Sequence, residues 1–287
     1  MIEVVTIIGV GLIGGSLARA LKQQGFCKAV VGVGRDRKHL GRAQALGVVD
    51  RCETDLQQAV QDADLVVVAV PLGAVEGVLT EIRQALKPDC VVTDVGSAKV
   101  TVVDAARRRL ADVGQFVPGH PIAGNEKSGV EASQAALFRG RRVILTPLPE
   151  TRSEALQRVR EMWAVTGAEV VTMTAEHHDD VLAATSHLPH LLAYGLVDTL
   201  LRMDDSEEIF RFAAGGFRDF TRIASSDPTM WHDICLHNSG PILRSLKRFI
   251  GELTDLADAI ERHDSAGVRE RLQRAKAARD RFVDVFH

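Results

Sequence analysis

A glycine motif near the N-terminus has the spacing of a phosphate-binding turn. Gly9, Gly11 and Gly14 stand directly after a predicted strand and open a helical pattern. The first glycine allows a tight turn, the second a close approach of the backbone to a pyrophosphate, and the third close packing of helix against strand. With Leu12 and Ile13 between them, they predict a dinucleotide site. The alternative is a glycine-rich turn without a ligand, which the strand before it and the helix after it disfavour.

The residues after the second predicted strand bear on which dinucleotide is bound. In such folds a carboxylate here binds the ribose 2′-hydroxyl of NAD, whereas an arginine accepts the 2′-phosphate of NADP. Gly34 occupies the usual acidic position, and the cations Arg35, Arg37 and Lys38 follow it. Asp36 is only two positions away, and the cations could equally be the exposed start of a helix. The pattern favours NADP over NAD, with Arg35 as the candidate phosphate ligand.

Three unusual segments stand where further predicted strands end. Ligands of doubly wound sheets bind beyond the carboxyl ends of the strands, so these segments are candidates for the rest of the site. The first ends in Val70 and Pro71, which are candidates for cofactor binding, and the second contains Ser97. The third, residues 119–129, begins around His120 and holds more polar residues and glycines than a structural loop needs.

The periodicity of apolar residues predicts the elements that position these groups. Between residues 4 and 172, short β-branched runs alternate with helical stretches, as in a parallel sheet with helices on both faces. From residue 174 only helical spacing recurs, and one stripe from Trp231 to Ile260 predicts a single long helix that starts near Pro228. We predict an α/β, doubly wound (Rossmann-type) domain over residues 1–173 and an all-α domain over residues 174–287. The predicted strands are residues 4–8, 29–33, 65–70, 91–94, 116–117, 142–145 and 169–172.

Composition excludes several classes of function. The chain has 287 residues, 46% hydrophobic and 25% charged, with a formal net charge of −3. That charge gives no general field for nucleic acid or anionic lipid, so neither partner is expected. The four cysteines are scattered without a CxxC pair, which indicates a reducing compartment rather than disulfides or zinc. The N-terminus resembles neither a signal peptide nor a membrane span, so a cytoplasmic location is expected.

Five segments taken together resemble the prephenate and arogenate dehydrogenases of tyrosine biosynthesis. The most specific are HPIAGNEKSG, beginning at His120, and GGFRDFTRIA, beginning at Gly215. The glycine turn, residues 94–99 and SHLPH, beginning at Ser186, complete a resemblance that spans essentially the whole chain. It implies an oxidative decarboxylation. A hydride leaves C4 of a cyclohexadienol for a nicotinamide, the ring carboxylate leaves as carbon dioxide, and an aromatic ring forms.

The resemblance also implies roles for individual residues. His120 matches the catalytic histidine, a neutral imidazole that would accept the proton of the C4 hydroxyl. Ser97 matches the serine that fixes this hydroxyl or the imidazole. Arg222 matches the carboxylate ligand, and a guanidinium fork suits a substrate with two carboxylates. Further candidates for substrate contact are His187, Glu126 and Trp231.

Structural alternatives exist for several of these residues. His120 could shape its loop, Ser97 could cap a helix, and Trp231 could be a core residue. Arg218 fits an ion pair with a neighbouring acid better than a substrate ligand. No metal is expected, because the histidines and aspartates of residues 177–190 match no standard ligand spacing.

Charge complementarity bears on the choice of substrate. Arogenate carries an ammonium where prephenate has a ketone, so a carboxylate at that end of the substrate would favour arogenate. Glu126 is a candidate for such a carboxylate, but the sequence does not fix its direction. Prephenate is the first choice, with arogenate or dual use as the alternative.

The second half of the chain bears on assembly and on competing functions. Its apolar helices and the resemblance imply a homodimer, and no regulatory domain is expected after residue 286. A β-hydroxyacid dehydrogenase is a second enzyme hypothesis, but Lys247 and Lys276, the lysines beyond residue 173, are in no such motif. A module that binds NADP without turnover is a third, against which Ser97, His120 and Arg222 argue.

Overall fold

The computed structural model describes residues 2–124 and 127–282. These residues divide into two compact units at the junction of Ser239 and Gly240. The first unit contains all the strands of the described chain. Within the described ranges, every helix is too short or too polar to cross a lipid bilayer.

A six-stranded parallel sheet forms the centre of the first unit. Its strand order is β3-β2-β1-β4-β5-β6, so the direction of winding reverses between β1 and β4. The central strands are buried and almost wholly apolar, as a sheet covered on both faces requires. This confirms the predicted doubly wound fold. The strands are β1 (Ile2–Ile8), β2 (Cys27–Val33), β3 (Arg51–Glu53), β4 (Leu65–Val68), β5 (Val91–Asp94) and β6 (Phe116–Val117).

Two details of this sheet differ from the sequence-based expectation. The edge strand β3 was not predicted, because it is only three residues long and largely polar. The strand predicted over residues 65–70 ends at Val68, although the Ala69 amide still donates to the Ile8 carbonyl. Pro71 has no amide hydrogen to continue the ladder and precedes the next helix. The helices of this part are α1 (Leu12–Gln23), α2 (Arg37–Ala45), α3 (Leu56–Val60), α4 (Leu72–Ile82) and α5 (Val100–Arg109).

A second, three-stranded sheet follows, which the sequence did not separate from the first. It consists of β7 (Gly119–Pro121), β8 (Arg142–Leu145) and β9 (Glu169–Thr172), in that order, with helix α6 (Ser153–Ala164) between the last two strands. Strand β7 runs antiparallel to β8, which runs parallel to β9. β7 consists of glycine, histidine and proline and therefore has no strand signal. His120 thus lies on a strand, paired with Ile144, and not in the loop expected from its neighbours.

The remainder of the first unit is helical, as predicted. A single turn of π-helix, Ala183–His187, joins two of its helices. Pro189 lies in the first turn of the second and supplies no amide hydrogen, which favours such an irregularity. The helices are α7 (Ala175–Leu182), α8 (Leu188–Leu201), α9 (Ser206–Arg211), α10 (Gly215–Thr221) and α11 (Pro228–His237).

The long helix expected over residues 231–260 is interrupted. α11 ends at His237, and α12 (Ser239–Glu261) begins after Asn238, whose φ of −118° and ψ of 31° are not helical. The prediction of one continuous helix was therefore wrong. Apolar periodicity persists across the break, because it records which face is buried and not whether the backbone is continuous.

The second unit contains most of α12 together with α13 (Ser265–Arg281). Arg271 of α13 forms ion pairs with Glu252 and Asp255 of α12. Large apolar side chains of this unit are exposed: Leu243, Ile250, Leu253, Ile260 and Leu272.

Candidate active site

A cavity of about 470 Å³ lies within the first unit. It is lined by the start of α1, by residues that follow β5, and by β7 with the residues after it. On the helical side, α7, α8, α11 and the turns that precede α8 and α11 complete the lining. The structure thus brings together residues separated by more than two hundred positions in the chain. Seven of the predicted site residues line this cavity: Leu12, Ile13, Ser97, His120, His187, Arg222 and Trp231.

The glycine turn lies where the direction of winding of the sheet reverses. Gly9 has a φ of +101°, and a β-carbon there would lie 2.2 Å from the Ala69 carbonyl oxygen. A β-carbon on Gly14 would lie 2.1 Å from the Gly9 carbonyl oxygen. Both positions therefore require glycine. The place of a β-carbon on Gly9 is also 3.3 Å from Val70, so the end of β4 packs against this turn.

The N-terminus of α1 fits an anionic ligand. Gly11 is its N-cap residue, and no side chain caps the helix. A β-carbon on Gly11 would meet nothing within 4 Å, so the backbone is open to close approach. Free amide groups and the positive end of the helix dipole suit a pyrophosphate. The glycine turn thus has the shape and polarity that a dinucleotide needs.

The end of β2 offers exposed cations. The Asp36 carboxylate accepts hydrogen bonds from the Lys38 amide, at 2.8 Å, and from the His39 amide, at 3.4 Å, and so caps α2. It therefore has a structural role in this fold. Gly34, at the usual acidic position, carries no side chain, and Arg35 next to it is exposed.

A buried ion pair holds the backbone beside His120. The Lys99 ammonium lies 2.5 Å from Asp94 Oδ2 and donates to the Gly119 carbonyl oxygen at 2.7 Å. Asp94 Oδ1 accepts the Gly119 amide hydrogen at 3.1 Å. Both charged side chains are fully buried. The pair therefore fixes the peptide groups on both sides of Gly119, directly before His120.

The His120 ring is held by a second set of contacts. Its Nδ1 lies 2.9 Å from His178 Nε2, and His178 Nδ1 lies 2.8 Å from Asp179 Oδ1. Burial, reinforced by the nearby Lys99 ammonium, holds the pKa of His120 well below its usual value. His120 is therefore neutral near pH 7. Its Nε2 is the ring nitrogen that His178 leaves unused.

His187 and Trp231 bring unpaired polar atoms to the cavity. His187 is 1% exposed, and its Nδ1 lies 3.1 Å from the Asn238 side-chain nitrogen. In the described part of the chain, His187 Nε2 and Trp231 Nε1 are buried without a hydrogen-bond partner. The Trp231 ring also stacks on His190, with centroids 3.8 Å apart. Such buried polar atoms are costly unless a ligand satisfies them.

The remaining candidates occupy different places. Arg222 lies in a short 3₁₀ turn, Arg222–Ser225, at the edge of the cavity. The Arg218 side chain is 84% exposed beside Asp219 and does not line the cavity. Ser97 does not cap α5, because Lys99 is its N-cap residue and Asp179 accepts the first amide hydrogens. Glu126 lies outside the described residues.

Two family models together match almost the whole chain. The model of the prephenate dehydrogenase nucleotide-binding domain matches residues 17–172, and that of the prephenate dehydrogenase dimerization domain matches residues 174–274. The chain belongs to the prephenate dehydrogenase family. The resemblance inferred from the sequence motifs is confirmed, and with it an oxidoreductase with a nucleotide cofactor and a dimerization domain.

Members of the family are similar to the chain along its length. It is 40% identical over 279 residues to a cyclohexadienyl dehydrogenase of Zymomonas mobilis, covering 96% of the chain and 94% of that protein. It is 38% identical over 285 residues to a prephenate dehydrogenase of Bacillus subtilis, covering 98% and 76%. The structure of prephenate dehydrogenase from A. aeolicus, with hydroxyphenyl propionate and NAD⁺, matches with a TM-score of 0.92 at 37% identity. That match covers 98% of this chain and 99% of the A. aeolicus chain.

Sequence reasoning missed the buried polar residues that hold the lining residues of the prephenate dehydrogenase site in place. They do not line the cavity, but they orient residues that do. In the sequence, the adjacent His178 and Asp179 show only as part of a run of histidines and aspartates that lacks the spacing of metal ligands. In residues 2–124 and 127–282, no group of three or more His, Cys, Asp or Glu side chains could hold a metal ion. The missed residues are Asp94, Lys99, His178, Asp179 and Asn238.

The buried histidines predict a loss of stability in mild acid. Burial lowers the pKa of His187 to about 4, against 6.5 when exposed. Below about pH 6.5, His187 therefore binds a proton in the unfolded chain, whereas it stays unprotonated in the folded protein until the pH approaches 4. From pH 7.5 to 5, His187 alone should reduce the free energy of unfolding by about 2 kcal/mol. Urea titrations at the two pH values measure this, and His187→Asn should have the smaller pH dependence. An equal pH dependence in both proteins would contradict the prediction.

Proposed function

We propose that the protein oxidises and decarboxylates prephenate to 4-hydroxyphenylpyruvate. The observation that carries the proposal is the convergence of His120, Arg222 and the start of α1 on one cavity. The prephenate dehydrogenase of Bacillus subtilis and the A. aeolicus complex with hydroxyphenyl propionate support it. Purified protein, prephenate and either nicotinamide nucleotide should yield reduced cofactor and 4-hydroxyphenylpyruvate. If neither prephenate nor arogenate is turned over with either nucleotide, the proposed activity is rejected.

His120 and Ser97 act on the C4 hydroxyl of the substrate. The bound nicotinamide supplies the acceptor for the C4 hydride. As the hydride leaves, the hydroxyl becomes more acidic, and neutral His120 accepts its proton through Nε2. The bond to the ring carboxylate then breaks, its electron pair completes the aromatic ring, and the oxygen recovers the proton. Ser97 holds the hydroxyl toward His120.

The substrate carboxylates require cationic and hydrogen-bonding partners. Arg222 provides a guanidinium at the cavity edge and is the proposed carboxylate anchor. His187 accepts a hydrogen bond from Asn238 at Nδ1, so its Nε2 carries the hydrogen and is a buried donor. Trp231 Nε1 is a second donor of this kind. These two donors suit the polar side chain of the substrate.

Prephenate is the preferred substrate on grounds of charge. None of the described residues that line the cavity is an aspartate or glutamate. An ammonium of arogenate would therefore meet no carboxylate among them, whereas the ketone of prephenate needs none. Arogenate or dual use is the alternative, which the cyclohexadienyl dehydrogenase of Zymomonas mobilis supports. Contact of Glu126 with the substrate stays a prediction.

NADP is the preferred cofactor, although the A. aeolicus relative was solved with NAD⁺. Asp36 is engaged in capping α2, and Gly34 offers no carboxylate to a ribose 2′-hydroxyl. The exposed Arg35 beside it suits a 2′-phosphate. Gly9, Gly11, Gly14 and the end of β4 at Val70 and Pro71 are proposed to hold the rest of the dinucleotide.

Arg35→Asp should reverse the nucleotide preference. The change replaces a cation that attracts the 2′-phosphate by an anion that repels it and can bind a 2′-hydroxyl. We expect the ratio of kcat/KM for NADP to that for NAD to fall by about 10²-fold. Lys28→Ala, at the other end of β2, is the control and should leave the ratio unchanged. An unaltered ratio in Arg35→Asp would mean that these cations only face solvent.

The helical part is proposed to form a homodimer. The match of residues 174–274 to a dimerization domain and the exposed apolar side chains of α12 support this. Light scattering should give twice the chain mass. The domain boundary at residue 173 and the cytoplasmic location stay predictions.

A further inference from the structure

The chain Asp179–His178–His120 fixes where each ring hydrogen lies. The Asp179 carboxylate can only accept, so His178 carries its hydrogen on Nδ1. Neutral His178 then has a lone pair on Nε2, and His120 must donate to it from Nδ1. His120 Nε2 is consequently a lone pair and cannot be a donor. The chain therefore produces the one neutral form of His120 that can accept a proton at Nε2.

Asp179 accepts hydrogen bonds from the beginning of α5. Its Oδ1 accepts from the Lys99 amide at 2.7 Å, and its Oδ2 accepts from the Val100 amide at 2.9 Å. The Asn238 side chain donates to its carbonyl oxygen at 3.0 Å. Amide donors at a helix N-terminus stabilise a negative charge. Asp179 is 1% exposed, so solvent contributes little to this charge.

Other charged and titratable groups face the same rings. The buried Lys99 ammonium lies on the α5 side, where Asp94 of β5 compensates its charge. His187, from the π-helical turn, approaches from the helical side and is neutral, because burial lowers its pKa to about 4. Asp179 is therefore the carboxylate that bonds directly to this chain of rings.

We propose that His178 and Asp179 form a relay that sets the hydrogen position of His120 and stabilises the proton that His120 receives. The proposal deepens the proposed function and rests on it. When His120 Nε2 takes the proton of the C4 hydroxyl, its Nδ1 hydrogen bond to His178 shortens, and His178 polarises toward Asp179. The proton stays on His120, and none is transferred to His178 or Asp179. His178 and Asp179 are positioning residues, because they act through His120 and do not line the cavity.

Two replacements of His178 separate the relay from simple packing. His178→Leu fills the space but removes the acceptor of the His120 hydrogen. His178→Gln can place its carbonyl oxygen near the former Nε2 and so keeps an acceptor. We expect His178→Leu to lower kcat by about 10²-fold with KM within about threefold, and His178→Gln to restore part of the loss. His178→Asn, whose amide is too short to reach the His120 ring, should resemble the leucine variant.

The pH profile distinguishes a relay from a structural role. The relay stabilises the protonated form of His120, so its removal lowers the pKa of that imidazole further. The acid limb of kcat/KM should then move to lower pH while the plateau falls. A lower plateau with an unmoved limb, or a wild-type profile in His178→Leu, would overturn the proposal. Thermal unfolding of each variant identifies any that fail to fold. If His178→Leu does not fold, His178→Gln provides the test, because its acid limb should move in the same direction by a smaller amount.

A measurement without turnover tests the relay by itself. Nitrogen-15 spectra of the histidine rings in the full-length protein should show His120 protonated on Nδ1 and bare on Nε2, with the signals assigned by loss in His120→Asn. A His120 protonated on Nε2 would overturn the relay even if the enzyme is active. Absence of turnover in an unmodified protein with the expected spectrum would instead reject the proposed function and leave the relay standing.

Discussion

His120→Asn should lower kcat by about 10²-fold or more and leave KM nearly unchanged. The imidazole is the proposed acceptor of the C4 hydroxyl proton, and the asparagine amide has no comparable basicity. Because His120 stabilises charge that develops only as hydride leaves, its loss raises the barrier more than it weakens ground-state binding. Steady-state kinetics with prephenate and saturating cofactor measure both constants.

The pH dependence adds a signature to this variant. Burial holds the pKa of His120 well below its usual value, so the wild-type imidazole stays unprotonated, and able to accept a proton, at neutral pH and in mild acid. Activity should be lost only when the pH falls through that lowered pKa, and His120→Asn should lack this limb. His177→Asn is the matched control, because His177 is exposed and does not line the cavity. Equal kcat values in the His120 variant and this control would contradict the assignment.

Arg222→Gln should raise KM for prephenate by about 10²-fold, with a much smaller effect on kcat. Glutamine keeps hydrogen-bonding capacity but removes the charge and the paired geometry with which a guanidinium binds a carboxylate. The anchor is used equally before and during the reaction, which is why its loss should affect binding more than turnover. Initial rates over a wide range of prephenate concentration measure the change.

Arg218→Gln provides the comparison for Arg222. It lies one helical turn earlier in the same motif, is exposed beside Asp219, and does not line the cavity. KM should change by less than about twofold there, as expected for an exposed ion pair. A KM in Arg222→Gln that matches the wild type would refute the anchor, and equal increases in both variants would indicate a general effect of charge.

The predictable part of the fold is the part with regular burial. The strands of the central sheet are apolar throughout because both faces are covered, and this signal located five of its six strands. The sequence did not predict β3 and β7, because a short edge strand and a Gly-His-Pro segment have no such apolar pattern. The break at Asn238 escaped because the same face stays apolar on both sides of it.

The sequence by itself determined the glycine turn, whose residue types follow from the chemistry of anion binding, and the family, whose motifs indicated Ser97, His120, His187, Arg222 and Trp231 in the cavity. Only the tertiary structure decided how they are supported. Three sets of contacts support the site: the His178–Asp179 relay, the Lys99–Asp94 pair at Gly119, and the contact of Asn238 with His187. These contacts join segments about 25 to 80 residues apart in the chain. The spacing of residues along the sequence does not predict such contacts, because they depend on which polar groups become buried next to each other when the chain packs.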